Sequence, residues 1–425
     1  MNRRYFLMQT AAVGAGLTKR AVAASDKINV AMIGVRGQGR HLTGKFAQQA
    51  DVNILYLCDV DENVYGNAAK AVEEKTGKRP PHVSDLRRVL DDKNVNAVVI
   101  ATPDHWHAPA TILACDAGKD VYVEKPASHN LREGRLMVEA ARRNKRIVQL
   151  GIQSRSRPST IRAIELVKSG KLGKPLMAKA WDVQLRDHIG HKEDSAVPKG
   201  VDYDTWIGPA VHMPYNENRF HYKWHWNWNT GTGDIGNDGV HQMDMARWAL
   251  GVDRPTVVSG MGRKLFFDDD QQTPDTMNIT YNFNDKVLMF EMRIWNPYGM
   301  EEQGNGVAVY GTNGYIHIGR WDRVWGFKVY DEKGKLALDQ AKNETDMDDA
   351  HPRNFLDCIK SRKAPNAEIE IGHTSSTLCH LGNIVARANR TIKFDPAAES
   401  IAGDPEASKL LRREYRKHWS VPKGV

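Results

Sequence analysis

The chain has 425 residues, 41% hydrophobic and 26% charged, which is too long for one small binding module and too apolar for wholesale disorder. The formal charge of +8 includes Arg3, Arg4, Lys19 and Arg20, which precede the first acid, Asp26; without them the surplus is about +4, spread through mixed-sign segments, which argues against a nucleic-acid partner. Four scattered cysteines (Cys58, Cys115, Cys358, Cys379) with no C-x-x-C exclude a disulfide framework and are expected to be buried thiols.

Residues 1–25 read as a removable export signal. Arg3-Arg4-Tyr5-Phe6-Leu7 leads an apolar run over 8–17, and Ala21-Val22-Ala23-Ala24 supplies a small-residue cleavage site, the pattern of a twin-arginine-type signal. The run is shorter than the roughly 20 residues that span a bilayer, and no later stretch is longer. The expectation is a periplasmic or extracellular protein without a membrane span.

Residues 26–150 read as a dinucleotide-binding domain. An apolar strand from Ile28 breaks into Gly34-Val35-Arg36-Gly37-Gln38-Gly39-Arg40 and then a helical pattern, the order in which backbone N–H groups at a helix start face a pyrophosphate. A G-x-G-x-x-G reading places Gly34 and Gly39, with Arg36 where a glycine is expected and Gly37 beside it. A second strand, 52–58, ends in Asp59, the expected acid for the adenosine ribose. That carboxylate favours NAD, while Arg36 and Arg40 keep NADP open. Helical stretches at 64–75 and 85–90 alternate with a buried strand at 95–101, implying a parallel sheet. That strand delivers Thr102, Pro103, Asp104, His105 and His107 to its carboxyl end, a helix follows over 108–117, and the strand 120–123 brings Glu124-Lys125-Pro126 to the same edge.

Beyond 150, short alternating segments (148–152, 176–183, 256–259, 278–283, 286–294, 307–311, 315–318, 327–330) read as strands separated by turns such as Asn284-Asp285 and Asn313-Gly314. Helices are expected over 161–169, 241–250, 349–361 and 372–389, and a polar, basic tail from 395 with a helical stretch at 410–416. The run from Phe220 to Trp228 is the most aromatic in the chain. Its alternating Trp224, Trp226 and Trp228 would share one face of an extended segment, offering a stacking platform for a sugar ring beside His225. His221, His225 and His241 do not complete a ligand spacing, so no metal is expected.

This constellation resembles the Gfo/Idh/MocA family of nicotinamide-dependent sugar and polyol oxidoreductases. The residues that carry it are Gly34 to Gly39, Asp59, Ala101-Thr102-Pro103 with His105 and His107, Glu124-Lys125-Pro126, Gly170-x-Leu172-Gly173-x-Pro175, His241-x-x-Asp244 and Gly311-Thr312-x-Gly314. The resemblance implies an α/β chain: an N-terminal Rossmann domain (26–150), then a C-terminal α/β domain (151–394) built on a large, mostly antiparallel open sheet. It also implies pairing into a homo-oligomer through that sheet.

The expected cofactor ligands are Gly34, Arg36, Gly37, Gln38, Gly39, Arg40, Asp59, Thr102, Pro103, Asp104, His107, Glu124 and Lys125. Oxidation of an alcohol requires the hydroxyl proton to leave with the hydride, so a base or relay is needed. Lys125 is the first candidate, and the resemblance makes it the catalytic lysine. His241, at a helix start, is the second. Family members often carry Asp-x-x-x-His here; Asn237 stands at that position, so Asp238 is the replacement candidate. Trp224, His225, Trp226, Asn237 and His241 are expected to bind substrate. Two enzymatic readings follow: an exported oxidoreductase of a sugar hydroxyl with a tightly held NAD, or an NAD-dependent glycosidase that oxidises C3 transiently and eliminates the aglycone. The departures at Arg36 and Asn237 leave a third reading, a sugar-binding protein without turnover.

Overall fold

Apolar runs ended by glycine or acid build the first sheet. The computed structural model describes residues 27–301, 303–341 and 349–425; the expected export signal lies outside the described residues. Strands β1 (Ile28–Ile33), β2 (Val52–Cys58), β3 (His82–Val83), β4 (Ala97–Ile100), β5 (Asp120–Val123) and β6 (Val148–Leu150) are parallel, in the order β3-β2-β1-β4-β5-β6. Every residue of β4 and β5 is buried, which is why they read as continuous apolar runs without alternation. The strand order reverses between β1 and β4, and the crevice outside their carboxyl ends is the ligand position of such sheets. β6 was expected among the strands of the second domain. It is the last parallel strand of the first, and its complete burial left no alternation to assign it by.

The second sheet has ten strands: β7 (Pro175–Val183), β8 (Val257–Arg263), β9 (Thr276–Asn282), β10 (Val287–Arg293), β11 (Asn305–Gly311), β12 (Gly314–Trp321), β13 (Val324–Asp331), β14 (Leu336–Asp339), β15 (Ile392–Asp395) and β16 (Ser400–Ile401). Their order is β14-β13-β12-β11-β7-β10-β9-β8-β15-β16, and only β7 and β10 run parallel. Alternation in β9 and β10 sends Met277, Ile279, Tyr281, Leu288, Phe290 and Met292 into a core shared with the helices Val240–Leu250 and Ile369–Ala388. Tyr281 closes that layer by donating its hydroxyl to the Leu378 carbonyl at 2.8 Å.

The two domains are not independent units. Helix Ala350–Ser361 returns to the first domain, where Phe355 packs edge-on against Phe46 and Tyr122 and Arg353 pairs with Asp51 at 2.7 Å. The tail also differs from expectation, because its helix is Pro405–Lys409, started by the Asp404 cap and a proline at the first turn. Beyond it Arg413 pairs with the buried Glu133 at 2.8 Å and donates to the His105 carbonyl, while Arg416 binds Asp204 and the Gly208 carbonyl. Trp419 lies beside Trp106 with Arg87 over its ring. The basic tail therefore straps the two domains together. All four cysteines are buried free thiols, and no helix among the described residues is long and apolar enough to cross a membrane.

Candidate active site

The turn after β1 is built so that backbone can approach backbone. Gly34 has φ +80°, and a Cβ there would meet the Ala101 carbonyl at 2.6 Å; a Cβ on Gly39 would lie 1.9 Å from the Gly34 carbonyl. The first position therefore needs glycine for its left-handed φ and the second for helix–strand contact. Arg36 precedes helix Gly37–Ala47 without capping it, and the first turn carries no acid, so the leading N–H groups remain open to an anion. These groups fit a pyrophosphate.

Across the crevice, Asp59 accepts hydrogen bonds from the Val35 N–H (2.8 Å) and the Asp61 N–H (3.0 Å). Burial pushes its carboxyl up to about 6 against those bonds. Asp61 in turn meets His221 Nε2 at 3.1 Å. His221 comes from the second domain, and the segment before it is stitched to the loop after β2. The Glu62 N–H donates to the Gly200 carbonyl and the Asp202 N–H to the Val60 carbonyl, both at 2.9 Å. The cleft is thus roofed by the long connection between β7 and β8.

The loops after β4 and β5 carry the polar groups of the deeper end. Lys125 donates from Nζ to both the backbone carbonyl of Asn237 and its Oδ1, the latter at 2.9 Å. Glu124 is buried and accepts from Gln38 Nε2 at 3.1 Å. His107 braces the two loops, with one ring nitrogen at the Pro126 carbonyl (2.7 Å) and the other at the Thr102 carbonyl (2.9 Å).

A π-helical turn, Ile235–Gly239, leads directly into helix Val240–Leu250. An α-helical count expects one acid four residues before His241; the wider turn instead brings both Asn237 and Asp238 to the cavity. Asp238 bonds to Arg186 and accepts from Gln184 Nε2 at 3.3 Å. Burial opposes its charge, yet Lys125, Arg186 and His241 together hold its carboxyl below the ordinary range. Arg186 also grips Asp234 through two bonds of 3.0 Å. His241 makes no ring hydrogen bond to a described residue. Burial and the Lys125 charge push its imidazole down to about 4 against the opposite pull of Asp238, so it is neutral at pH 7, with a lone pair available to accept a proton.

The aromatic run is not extended. Residues His221–Trp226 form a 3₁₀ turn, so alternate tryptophans do not share a face. Trp224 stacks on His225 with ring centroids 3.6 Å apart, and both line the cavity. Trp226 is 3% exposed and belongs to the core of the second domain, which corrects its assignment as a sugar contact. Trp228 packs under Arg387.

The cavity encloses about 580 Å³, within the usual range for a cofactor and small ligand. Of the expected residues, Gly34, Arg36, Gly37, Gln38, Asp59, Thr102, Pro103, His107, Glu124, Lys125, Trp224, His225, Asn237, Asp238 and His241 border it. Three expected cofactor ligands do not. Gly39 acts through packing, and Arg40 is exposed on the helix. Asp104 is buried and accepts from Thr232 Oγ1 at 2.6 Å, joining the domains, with burial pushing its carboxyl up to about 7. Sequence reasoning missed Asp61, Tyr222, Gln184 and Arg186, and it singled out His221 for sugar hydroxyls rather than for its contact with Asp61. Arg186 and Gln184 leave β7 into a stretch without periodicity, and only the unusual density of charge around residues 182–188 marked them.

A glycine turn, an acid at the end of β2, and a lysine and a neutral histidine meeting in one cavity define a nicotinamide-dependent oxidoreductase. Residues 28–152 match the oxidoreductase family's NAD-binding Rossmann fold and residues 159–421 its C-terminal alpha/beta domain, and the chain belongs to the Gfo/Idh/MocA oxidoreductase family. It is 27% identical over 308 residues to a scyllo-inositol 2-dehydrogenase (NAD(+)) of Bacillus subtilis, covering 69% of this chain and 78% of the relative. It is 34% identical over 143 residues to a glycosyl hydrolase family 109 protein of Stenotrophomonas maltophilia, 31% of each chain. The aldose–aldose oxidoreductase of Caulobacter crescentus, solved with glycerol, shares the fold with TM-score 0.65 at 20% identity, over 87% of this chain and all of the other.

Proposed function

We propose that the protein is an exported, NAD-dependent oxidoreductase that removes hydride from a secondary hydroxyl of a sugar or sugar derivative. The observation that carries this reading is that His241 and Lys125 meet in the cavity that also contains Asp59. NAD, when bound, supplies the hydride acceptor. The chain supplies the rest. His241 accepts the hydroxyl proton, and the Lys125 ammonium, oriented by Asn237, stabilises the developing alkoxide. Trp224 and His225 offer a stacked face for the ring.

Asp59 supports NAD over NADP, because a carboxylate repels a 2′-phosphate. The roof held by Asp61 and His221 supports a cofactor that stays with the protein, and the pattern at residues 3–24 supports export with that cofactor loaded. The wide face of the ten-stranded sheet supports a homo-oligomer. The glycosidase alternative draws on the glycosyl hydrolase family 109 relatives; in it the same pair would serve C3 oxidation and then removal of the acidified C2 proton.

The deciding experiment denatures protein purified without added cofactor and quantifies the released dinucleotide. The protein is then incubated with free aldoses, inositols and aryl glycosides. NADH accumulation with a free sugar supports the oxidoreductase, and release of an aryl leaving group without net NADH supports the glycosidase. Absence of any dinucleotide, bound or rebindable, defeats both and leaves the sugar-binding reading.

A further inference from the structure

At the deep end of the cavity, Asp238 on its lining gathers with Asp182 and Asp234, one oxygen of each lying within 4.8 Å of the others. Their surroundings hold too few cations for three negative charges. Arg186 bonds to both Asp234 and Asp238, and Lys125 is turned to Asn237. Asp182, at the end of β7, has no exposure. Its Oδ1 accepts from Gln184 Nε2 at 2.9 Å, and its Oδ2 has no hydrogen-bond partner among the described residues. No basic side chain among the described residues bonds to it. An ionised carboxylate with one bare buried oxygen is strongly disfavoured, because its desolvation is repaid neither by a cation nor by a full set of donors. The same oxygen carrying a proton becomes a donor.

Asp238 offers that donor the less occupied acceptor. Both oxygens of Asp234 already accept, Oδ2 from Arg186 and Oδ1 from Arg186 and from Asn237 Nδ2 at 2.8 Å. Asp238 receives Arg186 and Gln184 on Oδ2, and its Oδ1 bonds to no described residue. The Gln184 amide also links Asp182 and Asp238 directly.

We propose that Asp182 is a positioning residue that works as a neutral carboxylic acid, donating its hydroxyl to Asp238 and so fixing the carboxylate that faces Lys125 and His241. This rests on the catalytic reading of Lys125 and His241 above, although the protonation state itself does not. Burial and the charges of Asp238 and Asp234 push the Asp182 carboxyl up, against the smaller opposing pulls of Gln184 and Arg186. With Asp182 neutral, two carboxylates face two cations, and the cluster adds no net charge beside the proton acceptor. The alternative occupant of three clustered carboxylates is a divalent cation, which would require all three ionised and Arg186 displaced.

The test compares wild type with Asp182→Asn, which mimics the neutral acid, in urea unfolding from pH 4 to 8, on the protein with whatever cofactor it carries. A folded-state pKa above the unfolded value means wild type takes up a proton on folding. The stability that Asp182 contributes is therefore fully present below about pH 4 and is lost as pH rises. Relative to Asp182→Asn, the wild-type folding equilibrium should drop by up to about tenfold per pH unit above 4, levelling off once the folded-state pKa is passed. A difference that does not vary with pH, or that grows the other way, overturns the proposal. So does one Mn²⁺ bound per wild-type chain and lost in Asp182→Asn. For positioning, the His241 ring titration is followed by NMR in histidine-labelled protein. Asp182→Asn should leave it in place and Asp182→Ala should move it; movement in both, or in neither, overturns the role. None of these readouts needs a substrate, so they stand or fall apart from the proposed reaction.

Discussion

Replacing His221 tests whether the roof over the cleft retains the cofactor. His221 has φ +45°, so His221→Gly removes the ring without straining the left-handed backbone. What is lost is one contact of 3.1 Å to the Asp61 carboxylate. Burial and Arg36 push the His221 imidazole down to about 4, against Asp61, so near pH 7 this is a neutral donor to a carboxylate rather than an ion pair. A hydrogen bond to a charged group is worth about 1.5 to 3 kcal/mol; the ring is one-third exposed, which brings the expectation to about 1 to 2 kcal/mol. The backbone bonds of Gly200 and Asp202 remain, so the roof loosens without detaching. Release of bound NADH, followed by its fluorescence after a chase with excess NAD, should accelerate about 5- to 30-fold. The effect should be constant between pH 5 and 8, because His221 does not titrate there. Unchanged release would refute the claim that this contact holds the cleft closed.

Three further outcomes follow from the site. Lys125→Met should lower kcat by about 10² to 10⁴ per bound dinucleotide, a normalisation that separates chemistry from any change in binding. Because His241 must be neutral to accept a proton and its pKa is depressed to about 4, kcat/KM measured with NAD saturating, which takes protonation of Asp59 out of the profile, should be level from pH 7 down to 5 and fall with a midpoint near 4; an acid limb near 6.5 under those conditions would remove His241 as the acceptor. Asp244 accepts three bonds of 2.9 to 3.0 Å from Arg155 and one from Ser375 at 2.6 Å, all buried. Asp244→Ala leaves that guanidinium uncompensated and should cost about 3 to 5 kcal/mol in denaturant unfolding.

Elements with a strong period were legible in the sequence. β9 and β10 alternate cleanly, and β1, β4 and β5 are apolar runs closed by the glycine turn or by the Thr102 and Glu124 loops. The site was legible where residues sit at strand ends, as Asp59 and Lys125 do, because parallel-sheet topology fixes where strand ends point. It was not legible where the backbone departs from regular periods. The π turn at Ile235–Gly239 changes which residues reach the cavity, and the 3₁₀ turn at His221–Trp226 buries Trp226. Neither has a local composition signal. Arg186 and Asp61 act through partners distant in the chain, and β14, exposed at every position, had no buried face to announce it.

β7 lies at the centre of the second sheet, between β10 and β11, partners whose residues follow more than a hundred positions later. Contacts so far apart in sequence form slowly, because the intervening loop must close first. The six parallel strands of the first sheet instead all lie within residues 28–150. Pairing of the first sheet therefore comes early, while the half that carries Asp182, Gln184 and Arg186, and the Phe355 helix that completes the first core, close late. A chain arrested between those two stages would have the glycine turn and Asp59 without the His221 roof or the Asp182 cluster, so retention of a cofactor would report completed folding of both halves.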